Sequence, residues 1–200
     1  ACAAVRTASG SARGSPPVRA AGWGTARYAG CMARVQDPAE LARILRGEWA
    51  IRATTFPYWL SPNRRNTRVT IETIEGSPLR LRETYEYHRP DKGDRELVAE
   101  LRWKGDHFAW KALGATKLIR TACVVSDTPA TPDILSVHYG RSAMVGQPAV
   151  SLLARPHLDP DHVRAMVSRD THSFELSAGE FWRLQWLQVH PVVSSEPTPT

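Results

Sequence analysis

Eight short segments of alternating apolar and polar residues follow one another along most of the chain, and this succession constrains the fold more than any other feature. They comprise residues 48–56, 67–75, 79–88, 97–103, 107–112, 117–126, 133–140 and 149–155. Each segment is bounded by turn-forming residues, and alternation at period two is typical of a half-buried β-strand. The short connections require antiparallel neighbours, and a meander of eight strands removes its exposed edges best by closing on itself. We therefore predict an all-β, eight-stranded antiparallel up-and-down barrel.

A short helix is predicted immediately before the first strand. Asp37 is a suitable N-cap, Pro38 suits the first helical position, and Glu40 lies three residues after the cap. Gly47 then ends the helix and permits a tight turn into the strand. Period two places four residues on one face of that strand, namely Trp49, Ile51, Ala53 and Thr55.

Two structures are open for the region near the C-terminus. The sequence from Ser177 to Glu180 could cap a helix, whereas residues 181–187 alternate as a closing strand would. We favour the strand. Upstream of it, residues 159–166 are predicted to form a helical turn with Asp159 as the cap.

The predicted domain organisation is a barrel domain over residues 32–190, with a disordered extension at 1–31 and a disordered tail at 191–200. Residues 1–31 are rich in Arg and Ser and lack acidic residues, which is typical of an organellar transit peptide. The alternative, which we favour, is an extension that precedes a natural start at Met32. No apolar stretch suits a secretory signal or a membrane-spanning helix.

The positive charge of the chain does not indicate a nucleic-acid partner. Four arginines of residues 1–31 supply +4 of the formal net charge of +6, which leaves +2 for the other 169 residues. A DNA or RNA binder concentrates Lys and Arg on its folded part. We therefore expect no nucleic acid as partner.

The three cysteines, at positions 2, 31 and 123, form no CxxC spacing. An odd number without such spacing argues against a disulfide framework and a zinc site, and favours a reducing, cytoplasmic location. The histidines form no HxH or HExxH pattern, so we predict no metal site. No GxSxG, P-loop or Rossmann glycine pattern occurs either.

Three features together resemble the lipocalin-type, or calycin, barrel. They are Gly47-Glu48-Trp49 after a short helix, a single eight-strand meander, and an Arg among aromatics near the end, Trp182-Arg183. In that family the first-strand Trp closes the barrel floor and a late Arg packs over its indole. The resemblance, over residues 37–188, assigns barrel closure to Gly47, Trp49 and Arg183. The Gly-rich pattern that haem-binding nitrobindins carry after the Trp is missing here, so we predict no cofactor.

A barrel of eight strands either fills its interior with side chains or holds one small ligand. The predicted inward positions that would contact a ligand are Glu83, Tyr85, Tyr87, Leu101, Trp103, Phe108, Trp110 and Tyr139. Aromatic side chains with polar tips can line a pocket and orient a ligand. The alternative is that these residues only fill the core.

Glu83 is the most informative of these positions. A carboxylate on an apolar strand face costs several kcal/mol unless it is paired or protonated. Arg120 is a candidate partner, and a Glu83–Arg120 pair could orient a ligand or act as acid and base. The alternatives are a bulge that turns Glu83 outward, or an ion pair with a structural role only.

Three functions are compatible with these features. The first is binding of a small hydrophobic or amphipathic ligand, such as a fatty acyl chain, an isoprenoid or a polyketide-like metabolite. The second is an isomerase or cyclase on the same barrel, with Glu83 or Tyr85 as the proton shuttle. The third is a protein-interaction module that uses an exposed loop from Phe56 to Leu60, unless that loop covers the barrel mouth as a lid.

Overall fold

Eight antiparallel strands form a closed barrel in the computed structural model, which describes residues 37–76, 79–114, 117, 120–125, 131–141 and 146–188. The strands are β1 (Gly47–Thr54), β2 (Arg65–Ile74), β3 (Arg80–Arg89), β4 (Gly93–Trp103), β5 (Phe108–Ala112), β6 (Arg120–Val125), β7 (Ile134–Tyr139) and β8 (Ala149–Ala154). Each strand pairs with the next, and β1 pairs with both β2 and β8. This confirms the predicted fold. The segments predicted to be disordered, 1–31 and 191–200, lie outside the described residues.

Helix α1 (Pro38–Leu45) lies against one end of the barrel. The Asp37 side chain accepts a hydrogen bond from the Ala39 amide, as predicted for an N-cap. Leu41 and Leu45 are buried in the same core as Trp49, and the Trp49 indole donates to the Leu45 carbonyl at 2.8 Å. The helix therefore closes this end, and the opposite end, where β1 leads to β2, is called the open end below.

The arginine that packs over the floor tryptophan is Arg155, the residue directly after β8. Its guanidinium carbon lies 3.7 Å from the centre of the Trp49 ring, and the ring is 0% exposed. The same group donates to three main-chain carbonyls, those of Ile44, Arg46 and Glu48. Gly47 has a φ of 100°, and a Cβ there would lie 3.1 Å from Arg155 Nη1, so two constraints favour glycine.

The prediction that Arg183 fills this role is wrong. Arg183 lies in helix α3 (Ala178–Arg183), is exposed, and donates to the Gly179 carbonyl of its own helix. Strand register explains why Arg155 reaches Trp49. Ala154 pairs with Ala50, so the next residue, Arg155, lies beside the start of β1.

A second apolar core lies outside the barrel, between its wall and the C-terminal helices. Helix α2 (Pro160–Arg169), a short 3₁₀ turn (His172–Phe174) and α3 cover the outer faces of β1, β7 and β8. A register shift between Ile51 and Ala53 in β1 turns Ala53 to this outer core. The predicted single face from Trp49 to Thr55 is therefore broken by a bulge.

The predicted closing strand over 181–187 forms only in part, because residues 181–183 belong to α3. Ser177 and Glu180 form a reciprocal capping box, in which the Ser177 hydroxyl accepts from the Glu180 amide and the Glu180 carboxylate accepts from the Ser177 amide. Strand pairing survives only in β9 (Gln185–Trp186), which pairs with β1. No helix within the described ranges has the length and apolar character needed to span a membrane.

We expect Arg155→Met to lower the free energy of unfolding by about 2–4 kcal/mol, since it removes a cation–π contact and three hydrogen bonds to carbonyls. Arg183→Met is the matched control and should change it by less than about 0.5 kcal/mol. Urea unfolding of the two variants measures both values. Equal losses would contradict the role given to Arg155.

Candidate functional site

A buried carboxyl group lies inside the barrel, on β3. Glu83 is 4% exposed, and its Oε2 accepts hydrogen bonds from the Tyr85 hydroxyl at 2.7 Å and from Trp110 Nε1 at 2.6 Å. Along the ladder Glu83 stands opposite Ala99, which in turn stands opposite Ala112. These two small residues leave room for the larger partners of the carboxyl group.

Arg120 is not the partner of Glu83. Alternation along β6 buries Thr121, Cys123 and Val125 and exposes Arg120 at the start of the strand. Within the described ranges no basic side chain forms an ion pair with Glu83, and its partners are neutral donors instead. The predicted Glu83–Arg120 pair is therefore wrong, although the inward direction predicted for Glu83 is right.

Burial controls the protonation of this group. It raises the pKa of Glu83 from 4.5 to about 7, and the hydrogen bonds from Tyr85 and Trp110 oppose the shift. Burial also raises the pKa of Tyr85 and of Tyr139, and the nearby Glu83 charge adds to both shifts. A carboxyl group that titrates near neutral pH can therefore accept or donate a proton inside the barrel.

Further polar side chains lie beyond Glu83 across the barrel. The Tyr139 hydroxyl is near enough to those of Tyr85 and Ser151 for both to affect its pKa. The Ser151 hydroxyl lies 2.7 Å from that of Thr54. We call the set of Thr54, Glu83, Tyr85, Trp110, Tyr139 and Ser151 the polar layer. It is buried throughout, which is tolerable because its members satisfy one another.

The loop between β1 and β2, residues 55–64, folds into the open end and is called the lid below. Phe56 and Trp59 are buried, with the Trp59 ring stacked on Tyr85 at 4.9 Å and the Phe56 ring 5.4 Å from Tyr139. The hypothesis of an exposed Phe56–Leu60 interaction loop is therefore wrong for its largest rings. The alternative, a loop that covers the barrel mouth, is what the structure shows.

Arg64 holds the lid at its far end. Its guanidinium carbon lies 3.7 Å from the centre of the Tyr58 ring, and Nη1 donates to the Tyr58 carbonyl at 2.9 Å. The Tyr58 hydroxyl in turn lies 3.4 Å from that of Tyr87 on β3. The sequence analysis missed Arg64, because an arginine in a polar turn carries no signal that distinguishes it from its neighbour Arg65.

A partly open cavity of about 630 Å³ lies beside the lid at the open end. Tyr58 of the lid, Tyr87 and Leu97 line it from inside the barrel, and Leu113 and Gly114 line it where the chain leaves β5. The rest of its lining lies on the outer face of the sheet, namely Glu72, Arg82, Thr84, Glu96 and Val98. Tyr87 and Leu97 belong to the inner faces of β3 and β4, and Val98 to the outer face of β4. The cavity therefore reaches around the edge of β4 beyond the point where β5 ends.

The residues predicted to bind a ligand occupy four kinds of environment. Tyr87 borders the cavity at the open end, and Arg120 is exposed on the outer wall. Trp103 is half-buried and lies 4.9 Å from the ring of Phe108. The others are buried in the core or the polar layer, namely Glu83, Tyr85, Leu101, Phe108, Trp110 and Tyr139. Their role as ligand contacts remains a prediction.

Comparison with known proteins supports the fold. The structure of lobster apocrustacyanin A1 matches with a TM-score of 0.53 and 12% identity, over 80% of this chain and 88% of that one. Apocrustacyanin C2 matches with 0.53 and 12%, over 79% and 88%. H1 crustacyanin from the lobster Homarus americanus matches with 0.52 and 11%, over 79% and 88%. The chain therefore has the lipocalin-like calycin fold. No protein-family model and no curated protein matches the sequence.

The raised pKa of Glu83 predicts that the free energy of unfolding depends on pH. Below about pH 4.5 the group is protonated in both states, and between about 4.5 and 7 the unfolded chain releases its proton while the folded chain keeps it. The free energy of unfolding therefore falls as pH rises through this range, by about 3 kcal/mol for the full shift. Glu83→Gln should remove this slope, measured by urea unfolding across the range.

Glu86→Gln is the matched control, since Glu86 lies on the same strand and is exposed. Its stability curve should keep the wild-type slope. A Glu83→Gln curve parallel to the wild-type curve would contradict the assignment.

Proposed function

We propose that the chain binds a small hydrophobic or amphipathic ligand at the open end of its barrel. The observation that carries this proposal is the cavity of about 630 Å³, which has Tyr58, Tyr87, Leu97 and Leu113 on its apolar side and Glu72, Arg82 and Glu96 on its charged, outer side. Ligand sites in proteins span about 300–1,000 Å³ and are lined mainly by apolar and aromatic side chains with a few polar groups. Calycin barrels of this strand number are wide enough to hold one small ligand.

Burial of apolar surface would supply most of the affinity, at about 2.5 kcal/mol for each 100 Å² removed from water. The hydroxyls of Tyr58 and Tyr87, 3.4 Å apart at the rim, would orient a polar end of the ligand. A fatty acyl chain, an isoprenoid and a polyketide-like metabolite all fit this description.

A cytoplasmic setting remains part of the proposal. The support is Cys123, which is buried and free, as expected of a small core residue in a reducing compartment. Antibody detection in fractions of the native host cells tests this, and recovery in a secreted fraction would refute it.

An enzyme on the same barrel is the second candidate, favoured by one observation. The pKa of Glu83, raised by burial to about 7, suits a general acid or base at neutral pH. The group lies one hydrogen bond beyond Tyr85, beneath the lid, so a substrate would have to displace Trp59 to reach it. Glu83→Gln separates the candidates, since it would abolish turnover but leave the affinity for a neutral ligand nearly unchanged.

We expect the wild-type protein to bind lauric acid or 1-aminoanthracene saturably, measured by calorimetry and by fluorescence titration respectively. Tyr87→Ala should weaken the binding about fivefold to tenfold, because a ring that lines the cavity is lost. Trp182→Ala is the matched control, since Trp182 is 84% exposed and lies on α3. Absence of saturable binding to either probe, or an equal effect of the two variants, would refute the proposal.

A further inference from the structure

The Trp59 indole occupies a slot built from aromatic rings of the lid and the barrel wall. One face lies on Tyr85 at 4.9 Å with an interplanar angle of 22°, which is a stacked arrangement. Tyr58 meets it edge-on at 4.7 Å and 88°, and Tyr87 does so at 5.9 Å and 73°. With these three neighbours Trp59 is only 3% exposed.

The ring that forms the flat wall of the slot belongs to the polar layer. Tyr85 donates to Glu83 at 2.7 Å, and the Phe56 ring of the lid lies 5.4 Å from that of Tyr139, tilted by 52°. The lid therefore places two of its rings against two tyrosines of the barrel wall. The bond that holds the Tyr85 hydroxyl is made to Glu83 of the wall and not to the lid, as a preorganised binding surface requires.

The lid is attached to β8 at its first residue, where the Thr55 amide donates to the Val150 carbonyl and the Thr55 hydroxyl accepts from the Val150 amide. Around Trp59 its main-chain hydrogen bonds are local. The main-chain amide of Trp59 donates to the Phe56 carbonyl, and that of Leu60 to the Pro57 carbonyl, so these bonds stay within the loop. Its ties to the wall near Trp59 are ring contacts and the hydroxyl pair of Tyr58 and Tyr87. Arg64 braces the loop through its contacts with Tyr58, and its guanidinium carbon also lies 5.7 Å from the centre of the Tyr87 ring on the wall.

We propose that this slot, vacated by Trp59, is the binding site for a planar aromatic or conjugated ring ligand, and that Trp59 is a built-in competitor for it. This inference rests on the proposed function and names its ligand class. A flat ring would regain the stacking on Tyr85 and the edge contact with Tyr87, whereas a flexible acyl chain would regain only buried area. A polar substituent on the ring would reach the Tyr87 hydroxyl at the rim, which Tyr58 contacts in the closed state.

Trp59→Ala tests the inference through the affinities for two probes, 1-aminoanthracene as the flat ring and lauric acid as the flexible chain. Removal of the competitor should increase the affinity for 1-aminoanthracene about threefold to tenfold and should increase the affinity for lauric acid clearly less. Trp59→Phe keeps a ring in the slot and should bind both probes much as the wild-type protein does. Trp182→Ala, which removes an exposed indole, should change neither affinity.

Arg64→Ala covers the case in which Trp59→Ala does not fold, as judged by circular dichroism. It leaves Trp59 and the three rings around it intact and removes the brace of the lid, so it should also tighten the binding of 1-aminoanthracene selectively. The inference is overturned if the folded lid variants bind 1-aminoanthracene no better than the wild-type protein, or if lauric acid gains as much. If no variant and no wild-type sample binds either probe, the proposed function itself fails.

Discussion

The contact between Arg155 and Trp49 stabilises the point at which this barrel closes, where β8 pairs with β1. One guanidinium group covers the indole and binds carbonyls from the end of α1 and the start of β1. Because Arg155 directly follows β8, the same contact brings together the first strand, the last strand of the barrel and the helix over its floor. Every wall strand then has two neighbours, so the described part of the barrel leaves no long sheet edge to pair with another chain.

A closed wall with inward side chains must fill its interior, and this chain does so in two different ways. Wall residues such as Leu101 and Phe108 form the core, while the lid supplies Phe56 and Trp59 at the open end. Between the two parts lies the polar layer, where Glu83 is tolerated because Tyr85 and Trp110 donate to it and because its pKa is raised to about 7. The Glu83 carboxyl group thus lies one hydrogen bond away from Tyr85, the ring that the lid covers.

The fold could be predicted from the sequence because periodicity and turn residues are local signals, and they placed all eight wall strands and the inward direction of Glu83. Arg120 was misplaced because β6 has small or apolar residues on both faces, so alternation alone does not tell the inner face from the outer. The choice of Arg183 over Arg155 failed for a different reason. The contact with Trp49 depends on pairing between strands about a hundred residues apart, which no local pattern encodes.

The same lid contacts that stabilise the unliganded barrel also lower its affinity for a ligand that must displace them. Phe56 and Trp59 of the lid pack against Tyr139 and Tyr85 and so stabilise the unliganded state. A ligand that displaces them gains in binding free energy only the difference between its own contacts and those of the displaced rings. A ligand confined to the cavity by Tyr87 leaves the lid in place and meets no such competition, but it also forgoes the stacking surface. Selectivity therefore depends on the shape of the ligand. A flat ring can replace both the buried area and the ring contacts of Trp59, whereas an extended chain can replace only the buried area.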